Sequence, residues 1–130
     1  MGLFNRKDKK NEEVFNATQS FMVDALQYDE EHNLIKIKNG FKSNVIPVSS
    51  IDSVRIGFNG KVYSETDTKT TIDGILAGTY KSEIHNIQIR IESNKKFYFI
   101  ILSVGKMLPD KAERLLTAAC EMTTFINSIK

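Results

Sequence analysis

Histidine, cysteine and clustered carboxylates are the residue types that could bind a metal ion, and the sequence holds two histidines and one cysteine. His32 follows three consecutive acids in Asp29-Glu30-Glu31-His32-Asn33, and carboxylate oxygens with an imidazole nitrogen can hold a divalent cation. The spacing matches no calcium-binding loop, and three adjacent acids cannot all face one ion. We therefore interpret this cluster as the solvated tip of a hairpin. No motif connects His32 with His85, so no metal site is predicted.

The sequence contains no constellation for covalent or cofactor-dependent catalysis. A nucleophilic cysteine needs an activating base and partial exposure, whereas Cys120 lies beside Ala119 in an apolar pattern and is predicted to be a small buried core residue. The glycines at 57 and 60, and those at 74 and 78, lack the further residues of phosphate-binding loops. We therefore predict that the protein is not an enzyme and has no cofactor.

A group of basic residues begins in the second predicted strand. Lys36 and Lys38 alternate with isoleucines, so both side chains lie on one face of that strand, and Lys42 and Arg55 follow. These four cations could form a binding site for an anionic group such as a lipid head group. The alternative is the ordinary solvated face of an antiparallel strand, because acidic residues are equally common nearby.

Residues 72–80 form a short apolar segment interrupted by glycines. The segment could be a bulged strand or a packed loop. Its large apolar side chains could dock on a partner or on another copy of the chain, or they could tuck under the sheet of their own chain. The candidate partner-binding residues in this segment are Ile72, Ile75, Leu76 and Tyr80.

Length and charge limit the class of protein. The chain has 130 residues, which is typical of one domain, and we predict a flexible charged tail over residues 1–13 and a single domain over residues 14–130. The 18 basic and 16 acidic residues give a net charge of +2, which is too balanced to indicate nucleic acid as a partner. One cysteine and the lack of a long apolar run favour a cytoplasmic protein, which could also associate with a membrane surface.

Seven segments have the composition of short β-strands. Turn-forming pairs such as Asn39-Gly40 and Asn59-Gly60 lie between them, which is typical of antiparallel hairpins. The last segment, residues 97–102, is a continuous apolar run and is expected to be buried on both faces or nearly so. The predicted strands are residues 21–28, 34–38, 44–48, 51–58, 61–64, 84–91 and 97–102.

The C-terminal segment has the period of an amphipathic helix. Pro109 suits the first helical position, and the apolar stripe of this helix must pack on the sheet. The sequence therefore predicts an α+β fold, in which a strongly bent antiparallel β-barrel or sandwich of about seven strands is capped by the C-terminal helix. The stripe residues, at alternating spacings of four and three, are Leu108, Ala112, Leu115, Ala119, Met122, Ile126 and Ile129.

This order of strands followed by one helix resembles the bacterial pleckstrin-homology-like (PH-like) domains. The resemblance is carried by Leu34-Ile35-Lys36-Ile37, by the Ile-Pro-x-x-x-Ile-x-x-Val pattern of residues 46–54, and by Ile89-Arg90-Ile91-Glu92 before the aromatic strand. Gly74 and Gly78 resemble a shortened form of the glycine-rich insert of some members. The resemblance covers residues 14–130 and implies a binding scaffold, since PH-like domains bind phosphoinositides, peptides or other proteins.

Two functions agree with these observations. We favour a non-catalytic interaction module that binds a protein partner or a second copy of itself, since the edges of an antiparallel sheet can pair with extended peptides. The alternative is a peripheral membrane adaptor that reads anionic lipids through Lys36, Lys38 and Lys42.

Overall fold

The computed structural model describes residues 11–130, which form ten short strands, a 3₁₀-helix at Val48–Ser50 and two long α-helices. Residues 11–14 are also helical, and the rest of the predicted tail lies outside the described residues. The helices are α1 (Glu65–Leu76) and α2 (Pro109–Ile129). The strands are β1 (Gln19–Phe21), β2 (Leu26–Asp29), β3 (Leu34–Asn39), β4 (Lys42–Pro47), β5 (Ile51–Phe58), β6 (Lys61–Tyr63), β7 (Ile84–His85), β8 (Gln88–Ser93), β9 (Lys96–Ile101) and β10 (Lys106–Met107).

Two four-stranded sheets make up most of the fold, and their neighbouring strands are antiparallel. The order is β1-β2-β3-β4 in the first sheet (sheet I) and β6-β5-β8-β9 in the second (sheet II), while β7 and β10 form a separate ribbon. The predicted α+β class, with antiparallel sheets and a C-terminal helix, is confirmed. Within residues 11–130 the sheets remain separate and do not close into a barrel.

The prediction of one strand over residues 21–28 is wrong, because a turn divides this segment between β1 and β2. Met22, Val23 and Asp24 have positive φ angles of 50°, 50° and 69°, which reverse the chain between β1 and β2. Apolar and β-branched residues rarely adopt this conformation. The segment contains no glycine or asparagine, so its sequence did not indicate a turn.

Residues 72–80 were predicted as a bulged strand or a loop, and that prediction is wrong because most of the segment belongs to α1. The helix begins after Ser64, whose Oγ accepts a hydrogen bond from the Asp67 N–H at 3.1 Å. Glu65 and Asp67 lie in the first turn, where the positive end of the helix dipole stabilises carboxylates. The sequence did not indicate a helix here because α1 contains four threonines, a residue type that prefers strands.

Packing explains why α1 forms in spite of its composition. Thr68, Ile72 and Ile75 are buried, and α1 packs against α2 and sheet II. Burial of one helix face contributes more to helix stability in a folded protein than the propensity of the residues does.

We expect the Ser64→Ala substitution to lower the free energy of unfolding by about 1 kcal/mol, because it removes the N-cap of α1. Urea denaturation monitored by circular dichroism measures this change. Ser82→Ala is the matched control, since Ser82 is exposed and lies outside the helix. Equal stability of the two variants would contradict a capping role for Ser64.

The C-terminal helix α2 is present as predicted and packs on β5, β8 and α1. Its buried face differs from the predicted stripe, because Leu116 is fully buried whereas Leu115 is half-buried and Leu108 is exposed. The physical reason is that α2 packs on α1 as well as on sheet II, so its buried face extends to Cys120, which lies beside Ile72 of α1.

The core is rich in isoleucine and forms one cluster that includes residues of both sheets and both helices. On β8 of sheet II the buried positions alternate with half-buried ones, as expected for a sheet with one inward face. Side chains with no exposed surface include Leu26, Ile35, Ile56, Ile89, Ile91, Ile100 and Leu116.

Asn39, at the end of β3, joins the two sheets. Its Nδ2 donates to the backbone carbonyl of Phe99, and its Oδ1 accepts from the backbone N–H of Ile101 at 3.1 Å. One side-chain amide thereby takes the place of a neighbouring strand at the outer edge of β9. Part of that edge is consequently closed to pairing with another strand.

Candidate functional site

The outward face of sheet II exposes several large apolar side chains. Residues 97–102 were predicted to be buried on both faces, but Phe97 is 47% exposed and Ile101 is 50% exposed, while Ile100 between them is fully buried. The prediction is wrong because the core covers only one side of β9. We define the outer face of sheet II as the residues that share this outward side by strand register, namely Ser53, Arg55, Gly57, Val62, Gln88, Arg90, Glu92, Phe97, Phe99 and Ile101.

Two arginines lie side by side on this face. Arg55 on β5 pairs directly with Arg90 on β8, so the two side chains project from neighbouring strands in the same direction. Among the described residues, neither arginine has a carboxylate partner within 4.0 Å. The Arg55 Nη1 donates to the carbonyl of Val54 at 3.2 Å.

Arg90 is held in place by an aromatic ring. Its guanidinium carbon lies 4.1 Å from the centre of the Phe97 ring, a cation–π arrangement. Its Nε is buried and makes no hydrogen bond within the described chain. A buried N–H without a partner is costly, so part of the hydrogen-bonding capacity of this guanidinium is left unsatisfied within the described residues.

Two neighbouring concavities open on the outer face of sheet II and share Val62 and Arg90. The first, which we call the apolar groove after Val62, Ile101 and Val104 in its lining, has a volume of about 390 Å³. Its other lining residues include the polar side chains of Lys61, Asn86, Gln88 and Ser103. The second, which we call the arginine concavity, has a volume of about 270 Å³. Its lining residues are Ser53, Arg55, Val62, Arg90, Glu92 and Phe97.

Gly57 on β5 pairs with two residues that line the apolar groove. It pairs with Val62 on one side and Gln88 on the other. A Cβ atom at this position would come within 3.3 Å of the Gln88 side chain. The absence of a side chain at Gly57 therefore allows the Gln88 side chain to lie close to the backbone of β5.

The four cations predicted as an anion site do not form one patch. Lys36 and Lys38 share a face of β3, as predicted. Lys42 pairs with Asn39 and therefore lies on the opposite face of sheet I, while Arg55 belongs to sheet II. The predicted grouping is wrong because it followed sequence proximity, whereas alternation along the strands decides which residues share a face.

The four predicted partner-binding residues do not form one exposed surface either. Ile72 and Ile75 are buried in the core, whereas Leu76 at the end of α1 is 68% exposed. Tyr80 is half-buried, and its hydroxyl accepts a hydrogen bond from the Asn59 Nδ2 at 3.3 Å. Helix formation separates these side chains, because only one face of α1 points to the core.

The acidic cluster at the second hairpin contains one buried carboxylate, which the solvated-tip interpretation did not predict. Asp29 is fully buried and accepts hydrogen bonds from the Asn16 N–H at 2.9 Å, the His32 N–H at 3.2 Å and the His32 Nδ1 at 2.7 Å. Burial raises the pKa of Asp29, but these hydrogen bonds outweigh burial and hold the pKa below its usual value. Asp29 thus anchors the N-terminal segment to the hairpin.

Cys120 is a buried residue of α2, as predicted. Burial, followed by the nearby Glu65 carboxylate, raises the pKa of its thiol to about 11. The thiol therefore stays protonated near neutral pH and is a weak nucleophile. It lines a groove of about 490 Å³ between α1 and α2, together with Ile72 and Phe125.

Within residues 11–130, no three His, Cys, Asp or Glu side chains come close enough together to hold a metal ion. The helices in this range are also too short or too polar to cross a membrane. In comparisons with known proteins, no family model, curated protein or solved structure matches this chain. The geometry of the outer face of sheet II is therefore the main guide to function.

Proposed function

We propose that this chain is a non-catalytic interaction module with a PH-like fold, which binds a protein partner through the outer face of sheet II. The observation that carries the proposal is the exposure of three large apolar side chains on that face. Val62 is 49% exposed, Phe97 is 47% exposed and Ile101 is 50% exposed. Val104, beside them in the apolar groove, is 82% exposed.

The residue types on this face favour a protein partner. The outward side of an antiparallel sheet in contact with water is normally polar. A cluster of exposed apolar side chains beside polar ones is typical of a protein interaction site. Aromatic residues and arginine are also enriched in protein interfaces, where they supply most of the binding energy.

The arrangement of the elements supports the PH-like proposal. Two antiparallel four-stranded sheets precede a C-terminal helix, which packs on sheet II. Helix α1 occupies the position at which the resemblance places a shortened glycine-rich insert, with Gly74 inside the helix and Gly78 just after it. A binding role is what this family of scaffolds implies, and the residues at the binding face must be identified from the site itself.

An anionic-lipid adaptor is the alternative function. This alternative is favoured by Lys36 and Lys38, which share one face of β3. Lys36 is half-buried and lies 5.7 Å from the centre of the Phe15 ring, so Lys38 is the more accessible of the two. Two lysines supply little membrane attraction compared with the clusters of four to eight basic residues typical of lipid-binding segments.

The proposed function is tested by capture of partners from native extract with a tagged full-length chain and quantitative mass spectrometry. We expect Ile101→Glu to reduce the recovered partner at least about tenfold, because it places a charge among the exposed apolar side chains of the apolar groove. Thermal melting should be unchanged, since the Ile101 side chain is half-exposed. Phe41→Glu is the matched control, because Phe41 is fully exposed at the turn between β3 and β4.

Two further arms separate the proposed function from the alternatives. Leu76→Glu examines the exposed end of α1, and Lys38→Glu examines the basic face of β3. Loss of partner in either of these variants, with capture retained by Ile101→Glu, would assign binding to another surface and contradict the proposal. Sedimentation with phosphatidylserine vesicles that depends on Lys38 would support the lipid adaptor instead.

A further inference from the structure

We infer that the outer face of sheet II recognises an acidic peptide segment, with a carboxylate bound between Arg55 and Arg90 and an adjoining apolar side chain in the apolar groove. This inference rests on the proposed function and specifies the chemistry of the partner. Its starting point is the position of the two arginines, which are directly opposite each other on β5 and β8.

Like charges at directly opposed positions of two strands destabilise a sheet. An anion between Arg55 and Arg90 would remove that repulsion. Within the described chain neither arginine forms a salt bridge. Glu92, the carboxylate in the arginine concavity, accepts a hydrogen bond from Ser53 Oγ at 3.4 Å. A carboxylate from a partner would therefore meet two cations that are not neutralised within the chain.

Arg90 is prepared for such a ligand. The Phe97 ring packs against its guanidinium carbon at 4.1 Å, which reduces the conformational freedom that binding would otherwise remove. A planar guanidinium binds a carboxylate through two parallel hydrogen bonds. The buried Nε is shielded from such a ligand, so the two donors of the fork are the terminal Nη1 and Nη2 groups.

The apolar groove adjoins the arginine concavity along Val62 and Arg90. A peptide whose carboxylate reaches the arginines can therefore place a neighbouring apolar side chain against Val62, Ile101 and Val104. Lys61 also lines this groove. Three cations, Lys61, Arg55 and Arg90, thus stand against the single carboxylate of Glu92, and this charge balance selects an acidic partner.

The same charges disfavour the other occupants of this face. A second copy docked face to face would bring a second set of Lys61, Arg55 and Arg90 into one interface with only one further carboxylate, Glu92, so the excess positive charge would be doubled. An anionic bilayer suits several long exposed lysines, whereas Arg90 is half-buried and Glu92 lies in the same concavity. Strand addition at the edge of β9 is hindered by the hydrogen bonds of Asn39.

Selection of peptides from a random dodecapeptide library on the immobilised full-length chain tests this inference. We expect enrichment of peptides in which Asp or Glu adjoins a large apolar residue. For the best peptide, Glu→Gln or Asp→Asn substitution in the peptide should weaken binding about 10- to 100-fold in fluorescence polarisation. Binding should also weaken as the salt concentration rises.

Protein variants locate the binding site. Arg55→Gln should weaken binding about 10-fold or more, and Arg90→Lys should do so although it keeps the charge, because lysine lacks the planar fork. Arg114→Gln is the matched control, since Arg114 is exposed on α2 and its loss changes net charge equally. Circular dichroism and thermal melting establish that each variant is folded.

Several results would overturn the inference. These are enrichment of neutral or basic peptides, failure to enrich any motif, an equal effect of Arg114→Gln, or tighter binding to phosphatidylserine vesicles that depends on Arg55. If capture of the partner still depends on Ile101 while any of these results is obtained, the proposed function is retained and the inference of an acidic peptide is rejected. If Ile101→Glu leaves capture unchanged, both fail together.

Discussion

Replacing Leu116 with alanine is expected to lower the free energy of unfolding by about 2–5 kcal/mol, the range for removing a large aliphatic side chain from a packed core. Leu116 lies in α2 with no exposed surface. Helix α2 packs on β5, β8 and α1, so a cavity at this position cannot be filled by solvent-exposed side chains. Urea denaturation of the purified full-length chain measures the loss.

Leu115→Ala is the matched control for this experiment. Leu115 is the next residue and has the same chemistry, but it is half-buried at the margin of the core. We expect a clearly smaller loss for Leu115→Ala, because less apolar surface returns to water. Similar small losses in both variants would mean that α2 does not pack as described, and the PH-like proposal would be rejected with it.

Replacing Asp29 with asparagine is expected to lower the free energy of unfolding by about 2–3 kcal/mol near neutral pH, because hydrogen bonds to a charged acceptor are stronger than those to a neutral one. The fully buried Asp29 accepts hydrogen bonds from the backbone N–H groups of Asn16 and His32 and from the His32 ring. The asparagine amide has one acceptor oxygen and cannot satisfy all three donors. Thermal and urea unfolding both measure this change.

The effect of Asp29 depends on pH in a definite direction. The folded-state pKa of Asp29 is lowered from the ordinary value of 3.8, so the unfolded chain binds a proton more readily than the folded protein does. The ionised carboxylate therefore stabilises the fold fully above about pH 3.8, and this stabilisation is lost as pH falls through the folded-state pKa. The difference between the wild type and Asp29→Asn should narrow below that pH, since asparagine does not titrate.

Glu30→Gln is the control for the pH experiment. Glu30 is the exposed neighbour of Asp29, so its replacement should leave both stability and its pH dependence almost unchanged. A constant difference between wild type and Asp29→Asn from neutral pH to about pH 3 would show that the charge of Asp29 does not stabilise the fold.

The two sides of strand β9 allow stability and partner binding to be tested independently. Ile100 points into the core and is fully buried, whereas Phe97 and Ile101 point outward and are half-exposed. Alternation of side chains along a strand places neighbouring residues on opposite faces. Substitutions at outward positions should therefore change recognition while the core and the melting temperature remain intact.

Local patterns in the sequence predicted several elements of this fold. The alternating spacings of four and three residues predicted α2, and the pair Asn39-Gly40 predicted the hairpin of β3 and β4. Both signals depend on residues close together in the chain, so they require no knowledge of tertiary contacts. Alternation likewise placed Lys36 and Lys38 on one face of β3.

The tertiary structure alone decided the remaining features. Helix α1 forms because Thr68, Ile72 and Ile75 are buried, although its threonines favour a strand. Arg55 and Arg90 are distant in the chain and become neighbours only through the register of β5 with β8. The sequence determines that residues 97–102 are apolar, but only packing determines which side of β9 is covered by the core and which side remains exposed to a partner.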